Sequence, residues 1–171
     1  AYDAKHRAIP AWDLDALAGA GAIRSTAADM LTFLDAHLHP ERIAAADLRA
    51  ALLETRKLRA TVTPGLRIAL AWIYDTDTGL YWHNGAISGY TSHVFFHPEH
   101  DYAAVVLMNQ APGAYPFSEL LARHIRQRLE GQPAVSFDYL AVPSKPGFTG
   151  LVRWYAVYWA VMLASGVVLF C

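Results

Sequence analysis

The sequence predicts an α+β fold: an antiparallel sheet of about three strands flanked by helices, followed by a transmembrane helix. Three observations carry that expectation. Apolar residues alternate with smaller or polar ones from Leu66 to Tyr74, and further strand-like runs follow as far as Met108. Apolar residues recur at helical spacing on both sides of that block. The chain ends in an uncharged run from Trp154 to Cys171, which reaches the roughly 18 residues at which a membrane span becomes the natural reading.

Residues 1–24 show little periodicity and contain Pro10, Gly19 and Gly21, so they are expected to be loop. The first helix starts at Thr26, which with Asp29 forms a capping-box pattern with a shorter acid in place of Glu. Ala27, Met30, Leu31, Leu34 and Leu38 follow at i, i+3, i+4 spacing, and Pro40 ends the run. A second helix is expected over 44–55, with Leu48, Ala51 and Leu52 on one face. Pro64-Gly65 marks the change to strands. Leu66 to Tyr74 reads as one strand, Asp75 to Gly79 as a turn and Leu80 to His83 as the returning strand. Strands at 92–97 and 102–108 flank the turn Pro98-Glu99-His100-Asp101. The last of these, Tyr102 to Met108, is apolar on both faces and should lie in a sheet covered on both sides. A third helix is expected over 116–130, with Phe117, Leu120, Leu121, Ile125 and Leu129 as its stripe and Gly131 as its stop.

These elements divide the chain into a domain at 1–131, a Pro- and Gly-rich linker at 132–150 and a transmembrane helix at 151–171. Trp154, Tyr155, Tyr158 and Trp159 crowd the start of the apolar run as an interfacial aromatic belt would, and Arg153 stands where it can snorkel. A membrane-lipid partner is therefore expected. The chain begins without Met or a signal peptide and stops inside a hydrophobic run, so both ends are expected to be cuts in a longer product.

Composition excludes several function classes. Net charge is −1, and the 14 Lys and Arg are scattered rather than arranged in a phosphate-tracking stripe, so nucleic acid is not an expected partner. Cys171 is the only cysteine, which removes intrachain disulfides and cysteine-based zinc sites. His93 and His97 lie four apart on a strand, and His37 and His39 do not face each other on a helix, so no metal is expected. No phosphate-binding or dinucleotide fingerprint occurs, and no cofactor is expected.

The informative stretch is Trp82-His83-Asn84-Gly85-Ala86-Ile87-Ser88-Gly89-Tyr90. An aromatic-rich strand delivers a hydrogen-bonding side chain, then a glycine, then a backbone amide. Acyl transfer needs that combination, because a bare strand edge admits a substrate carbonyl and the N–H after the glycine can stabilise its oxyanion. On these residues alone the alternative is a hairpin turn with a satisfied surface histidine.

Three segments in order add to this: Gly19-Ala20-Gly21-Ala22-Ile23-Arg24-Ser25-Thr26-Ala27-Ala28-Asp29-Met30, Trp82 to Ala86 with Gly89-Tyr90, and Val105-Val106-Leu107-Met108-Asn109. Together they resemble the serine β-lactamase and penicillin-recognising hydrolase family, in its class C β-lactamase and esterase-like branch. The resemblance covers about residues 15–130 and implies an incomplete, C-terminal part of that fold. It places His83 at the Lys of the family's Lys-Thr-Gly strand, with a charge expected to vary with pH, and Asn84 at the Thr. Gly85 keeps the edge open, the Ala86 N–H is one of two oxyanion donors, and Asn109 lines the substrate pocket or caps the loop that follows. The family's nucleophile lies in Ser-x-x-Lys, with a second element Tyr-x-Asn. None of Lys5, Lys57 and Lys145 has a Ser three residues before it, and no Tyr-x-Asn occurs. Ser88 and Ser92 lack a nearby base and read as turn and strand residues.

The resemblance thus implies the C-terminal portion of a membrane-tethered serine hydrolase acting outside the cytoplasm on a β-lactam, an ester or a peptidoglycan-like amide. This stretch alone is expected to be inactive. The alternative is a non-catalytic, membrane-anchored binding or regulatory domain of the same fold.

Overall fold

The computed structural model describes residues 1–111 and 117–133. Within them the fold is α+β, with a six-stranded antiparallel sheet in the order β1-β2-β3-β4-β5-β6. The strands are β1 (Ala60–Thr63), β2 (Leu66–Ile68), β3 (Ile73–Asp75), β4 (Leu80–Ile87), β5 (Tyr90–His97) and β6 (Tyr102–Met108). The helices are α1 (Ala18–Gly21), α2 (Ala27–Leu38), α3 (Ala46–Thr55) and α4 (Phe117–Leu129).

The expected three strands become six for local reasons. Leu66 to Tyr74 is two strands, because the chain turns back at 69–72. Ala71 takes a φ of 62°, and the Ala69 N–H bonds the Trp72 carbonyl at 2.8 Å. Alternation survives such a turn, so the pattern alone does not reveal it. The four residues of β1 form a separate edge strand that pairs with β2 across Pro64-Gly65. Residues 80–83 and 92–97 prove to be parts of one long hairpin, β4 with β5.

Helix α2 starts where the capping pattern placed it. Thr26 is extended, and its Oγ1 accepts from the Asp29 N–H at 3.2 Å, satisfying one of the orphan donors of the first turn. Leu34 is buried, but Leu31 is not. On α3, Leu52 is buried while Leu48 is exposed. On α4 Ser118 and Ala122 are buried, Leu121 and Ile125 of the expected stripe pack half-buried against the same core, and Phe117 and Leu129 are exposed.

Two cores hold the sheet between its helices. Beneath α4 lie Leu80, Phe95, Ala104 and Val106, joined by Trp82, Leu121 and Ile125. On the opposite face Leu34 of α2 meets Trp72 and Phe96, with Tyr81, Val94, Ala103 and Val105 around them. Strand β6 contributes to both, as its two apolar faces require, but it does so as an edge strand.

The α2 face also buries His37, whose ring packs on Phe96 and edge-on to Trp72. Desolvation, with the Arg56 charge adding to it, pushes its pKa down to about 4. Burial and the charge of His83 hold His93 at about 4 as well. An unfolded chain takes up these protons near the ordinary value of 6.5, whereas the fold resists them until about 4. Between those limits the unfolded state binds more protons, so stability falls as pH falls. The thermal midpoint is therefore expected to drop steadily from neutral pH toward about 4, and His37→Met, which cannot take a proton, should flatten that slope. Equal slopes in the two proteins would show that His37 does not carry the effect.

Among the described residues no helix is long and apolar enough to cross a membrane. Residues 134–171, which hold most of the expected linker and the whole expected transmembrane helix, lie outside the described residues.

Candidate active site

The site is built on the β4–β5 hairpin. Ser88 and Gly89 form its two-residue turn, with φ of 37° and 77°, the doubly positive conformation that matches strand twist in a tight hairpin. Such a turn makes Ile87 and Tyr90 a hydrogen-bonded pair, and bonding then alternates along the ladder. Ile87, Gly85, His83 and Tyr81 therefore direct their backbone groups to β5. Leu80, Trp82, Asn84 and Ala86 direct theirs to the other edge. There β3 reaches only as far as Trp82, opposite Ile73. The Asn84 and Ala86 amides consequently lie on strand edge that no described strand covers.

This alternation puts the predicted oxyanion donor on an open rim. Ala86 is itself exposed. The glycine before it has a cross-strand reason as well: a Cβ at Gly85 would lie 2.8 Å from Ser92 Oγ on β5. The rim is thus bare at Gly85, with Ser92 filling the space beneath.

Side chains of β4 alternate between the sheet faces. His83 lies opposite Val94 on the α2 face, half-buried. Desolvation holds its pKa below the usual histidine value, and the hydrogen bond to the Asn84 carbonyl partly offsets this. Near neutral pH the ring is uncharged, so this position does not supply the fixed positive charge of a lysine. The Nδ1···O distance to that carbonyl is 2.6 Å. A carbonyl only accepts, so Nδ1 carries the proton and Nε2 keeps its lone pair. His83 therefore presents a basic nitrogen where a lysine presents a donor.

Asn84 points to the α4 face, where its Nδ2 donates to Glu119 Oε1 at 2.5 Å. Burial raises the Glu119 pKa, and the bond from Asn84 works against that rise. Trp82 stacks on His93 with ring centroids 5.4 Å apart. A hollow of about 160 Å³ opens here between the sheet and α4, walled by Asp75, Trp82, His93, Glu119 and Arg123. Sequence reasoning missed Glu119 altogether, because its partner lies 35 residues away and only the docking of α4 joins them.

Asn109 follows the end of β6 and is exposed, and its backbone carbonyl accepts from the Tyr2 N–H at 3.0 Å. Its strand is separated from β4 by β5, so the structure does not bring Asn109 into contact with His83 or Gly85. Ser88 donates to the Pro10 carbonyl at 2.7 Å. Ser88 and Ser92 are turn and strand residues. Among the described residues no group of three or more His, Cys, Asp or Glu side chains is arranged to hold a metal ion.

Residues 1–128 match the family model described as Beta-lactamase. The chain belongs to the β-lactamase family. The match spans every described helix and strand except the last residue of α4, so the six-stranded sheet and four helices form part of a β-lactamase-like domain of the serine hydrolase type. No curated protein matches the chain.

Proposed function

We propose that this chain is the C-terminal part of a membrane-tethered serine hydrolase of the class C and esterase-like branch, acting outside the cytoplasm on an ester or amide. The observation that carries the reading is the Ala86 amide, which lies on uncovered strand edge just past Gly85 within the region matched to the family. The uncharged run from Trp154 to Cys171 with its leading aromatic residues supports the tether. The nucleophile would be a serine in a Ser-x-x-Lys segment upstream of Ala1. Its Oγ would bond the substrate carbonyl carbon while the oxyanion is held by the Ala86 N–H and the serine's own N–H. Collapse would expel the alcohol or amine with the serine's proton, and water would then cleave the acyl-serine ester. His83, neutral and with a lone pair on Nε2, suits the role of an acceptor or orienting base in that network.

The test is acylation of the longer gene product that contains this chain by a serine-reactive ester probe. Wild type is expected to be labelled, and His83→Ala to be labelled roughly 100-fold more slowly, the lower end of the usual range for a positioned acid or base. Labelling unchanged by His83→Ala would remove His83 from the mechanism. A single observation favours a second reading, a binding or regulatory domain that keeps the pocket wall: Ser-x-x-Lys and Tyr-x-Asn are missing from these 171 residues. Their absence upstream together with no labelling would establish it.

A further inference from the structure

We propose that Ser88 is a positioning residue for the oxyanion donor: by clasping the N-terminal segment 1–10, its hydroxyl fixes where the Ala86 N–H stands. The inference rests on the hydrolase reading above and adds a residue to that site. Along β4 the backbone groups of Gly85 and Ile87 bond β5, whereas those of Ala86 face the edge that β3 does not reach. Ala86 is thus held to no neighbouring strand through its own backbone, and its place follows from the residues on either side. Two residues on stands the hairpin turn, with both φ positive. Loop tips open at the lowest free-energy cost in a fold. A donor this close to one keeps its place only if the tip is held.

The tip is held from outside the hairpin. Ser88 Oγ donates to the Pro10 carbonyl at 2.7 Å. Thr91, directly across from Ala86, donates through Oγ1 to the Gln110 carbonyl at 3.3 Å. Both side chains are buried, where a hydroxyl deprived of its partner is costly. The segment that Ser88 grips is itself tied down. Tyr2 bridges Ala8 within it and Gln110 just past β6. Its N–H bonds the Asn109 carbonyl at 3.0 Å, its carbonyl accepts from Ala111 at 2.7 Å, and the Ile9 N–H bonds the Ala1 carbonyl at 3.0 Å. Asp3 closes the loop between, accepting from the Lys5 and Arg7 amides, each at 2.9 Å. Pro10, its φ locked by the ring, therefore presents its carbonyl from a fixed place. The Ser88 hydroxyl is engaged there, and it acts on the site only through the backbone that leads to Ala86.

The experiment uses the longer gene product containing this chain, wild type and Ser88→Ala, with a p-nitrophenyl ester as substrate. Competent sites are first counted from the stoichiometry of labelling by the serine-reactive ester probe, so that rates refer to folded enzyme. Acylation and deacylation both pass through the oxyanion, so a displaced donor slows both and leaves KM alone. Ser88→Ala is expected to keep its site count and KM while kcat per site falls about tenfold, short of the roughly 100-fold or more that losing a donor outright costs. Phenylboronic acid, whose adduct with the serine sets an oxygen where the oxyanion would stand, should bind about tenfold more weakly too. Thr91→Val keeps the branched shape and loses a longer bond, and should show the same pattern at about threefold. Unchanged kcat per site in Ser88→Ala overturns the proposal and leaves the hydrolase reading intact. So does a fall in kcat with boronate affinity unchanged, or a loss confined to the site count. Should Ser88→Ala yield no folded protein, Thr91→Val decides by the same criteria. Wild type that the probe does not label removes the hydrolase reading and this proposal with it.

Discussion

Phe96→Ala is expected to destabilise the fold by about 3–5 kcal/mol, the range for removing a fully buried aromatic ring. The side chain is inaccessible to solvent, and four groups converge on it. Tyr81 stacks on one side at 5.1 Å and His37 packs at 5.1 Å, while Trp72 meets the ring edge-on at 4.9 Å. The Arg56 guanidinium lies 5.8 Å from the ring centroid. These partners come from β4, α2, the β2–β3 turn and the segment after α3, so truncation opens a cavity at a junction that no single element can close by shifting. The cavity and the lost ring contacts add to the transfer free energy. Chemical denaturation of Phe96→Ala and Phe96→Leu should order the two, with leucine much the milder. A loss below about 1 kcal/mol for alanine would mean that the α2 face collapses onto the gap.

Gly89→Ala is the second large effect, and it bears directly on the site. Gly89 takes a φ of 77°, which a Cβ makes costly, and the added carbon would also lie 2.8 Å from the Tyr2 carbonyl oxygen and 2.9 Å from the Tyr2 nitrogen. Backbone atoms cannot rotate away as a side chain would. The Tyr2 segment is itself fixed, since its N–H bonds Asn109 O at 3.0 Å and its carbonyl accepts from the Ala111 N–H at 2.7 Å. Either the N-terminal segment lifts off the end of the sheet or the hairpin tip shifts, three residues from Ala86. A loss of about 2–3 kcal/mol is expected from the two sources of strain together. Deleting residues 1–9 removes the obstacle but not the φ, so Gly89→Ala in the shortened chain should cost only about 1 kcal/mol. Equal losses in both backgrounds would show that the Tyr2 contact carries none of the effect.

Much of the architecture was legible because it is locally encoded. Thr26 and Asp29 announce a helix start through a bond that spans three residues. The doubly apolar run at Tyr102 to Met108 announces burial on both faces. His83-Asn84-Gly85, followed by the small Ser88-Gly89 pair, announces a strand, a bare rim and a turn. The break at Ala71 was not legible, because a residue forced to positive φ by its tertiary setting leaves the alternation around it unchanged. The short strand β1 was hidden for a related reason: four residues beside Pro64 gain strand character only from the partner they pair with.

The site divides in the same way. Sequence by itself determined which backbone amide follows a glycine, which ring nitrogen bearer precedes it and that no Ser-x-x-Lys accompanies them, since each is a matter of neighbours along the chain. Only the tertiary structure decided that β3 pairs with β4 no further than Trp82 and leaves the Ala86 edge without a strand partner, that desolvation keeps His83 neutral, and that Glu119 comes to rest on Asn84. Those outcomes depend on contacts between residues far apart in the chain and on the water excluded when they meet, and neither is written in any local pattern of residues.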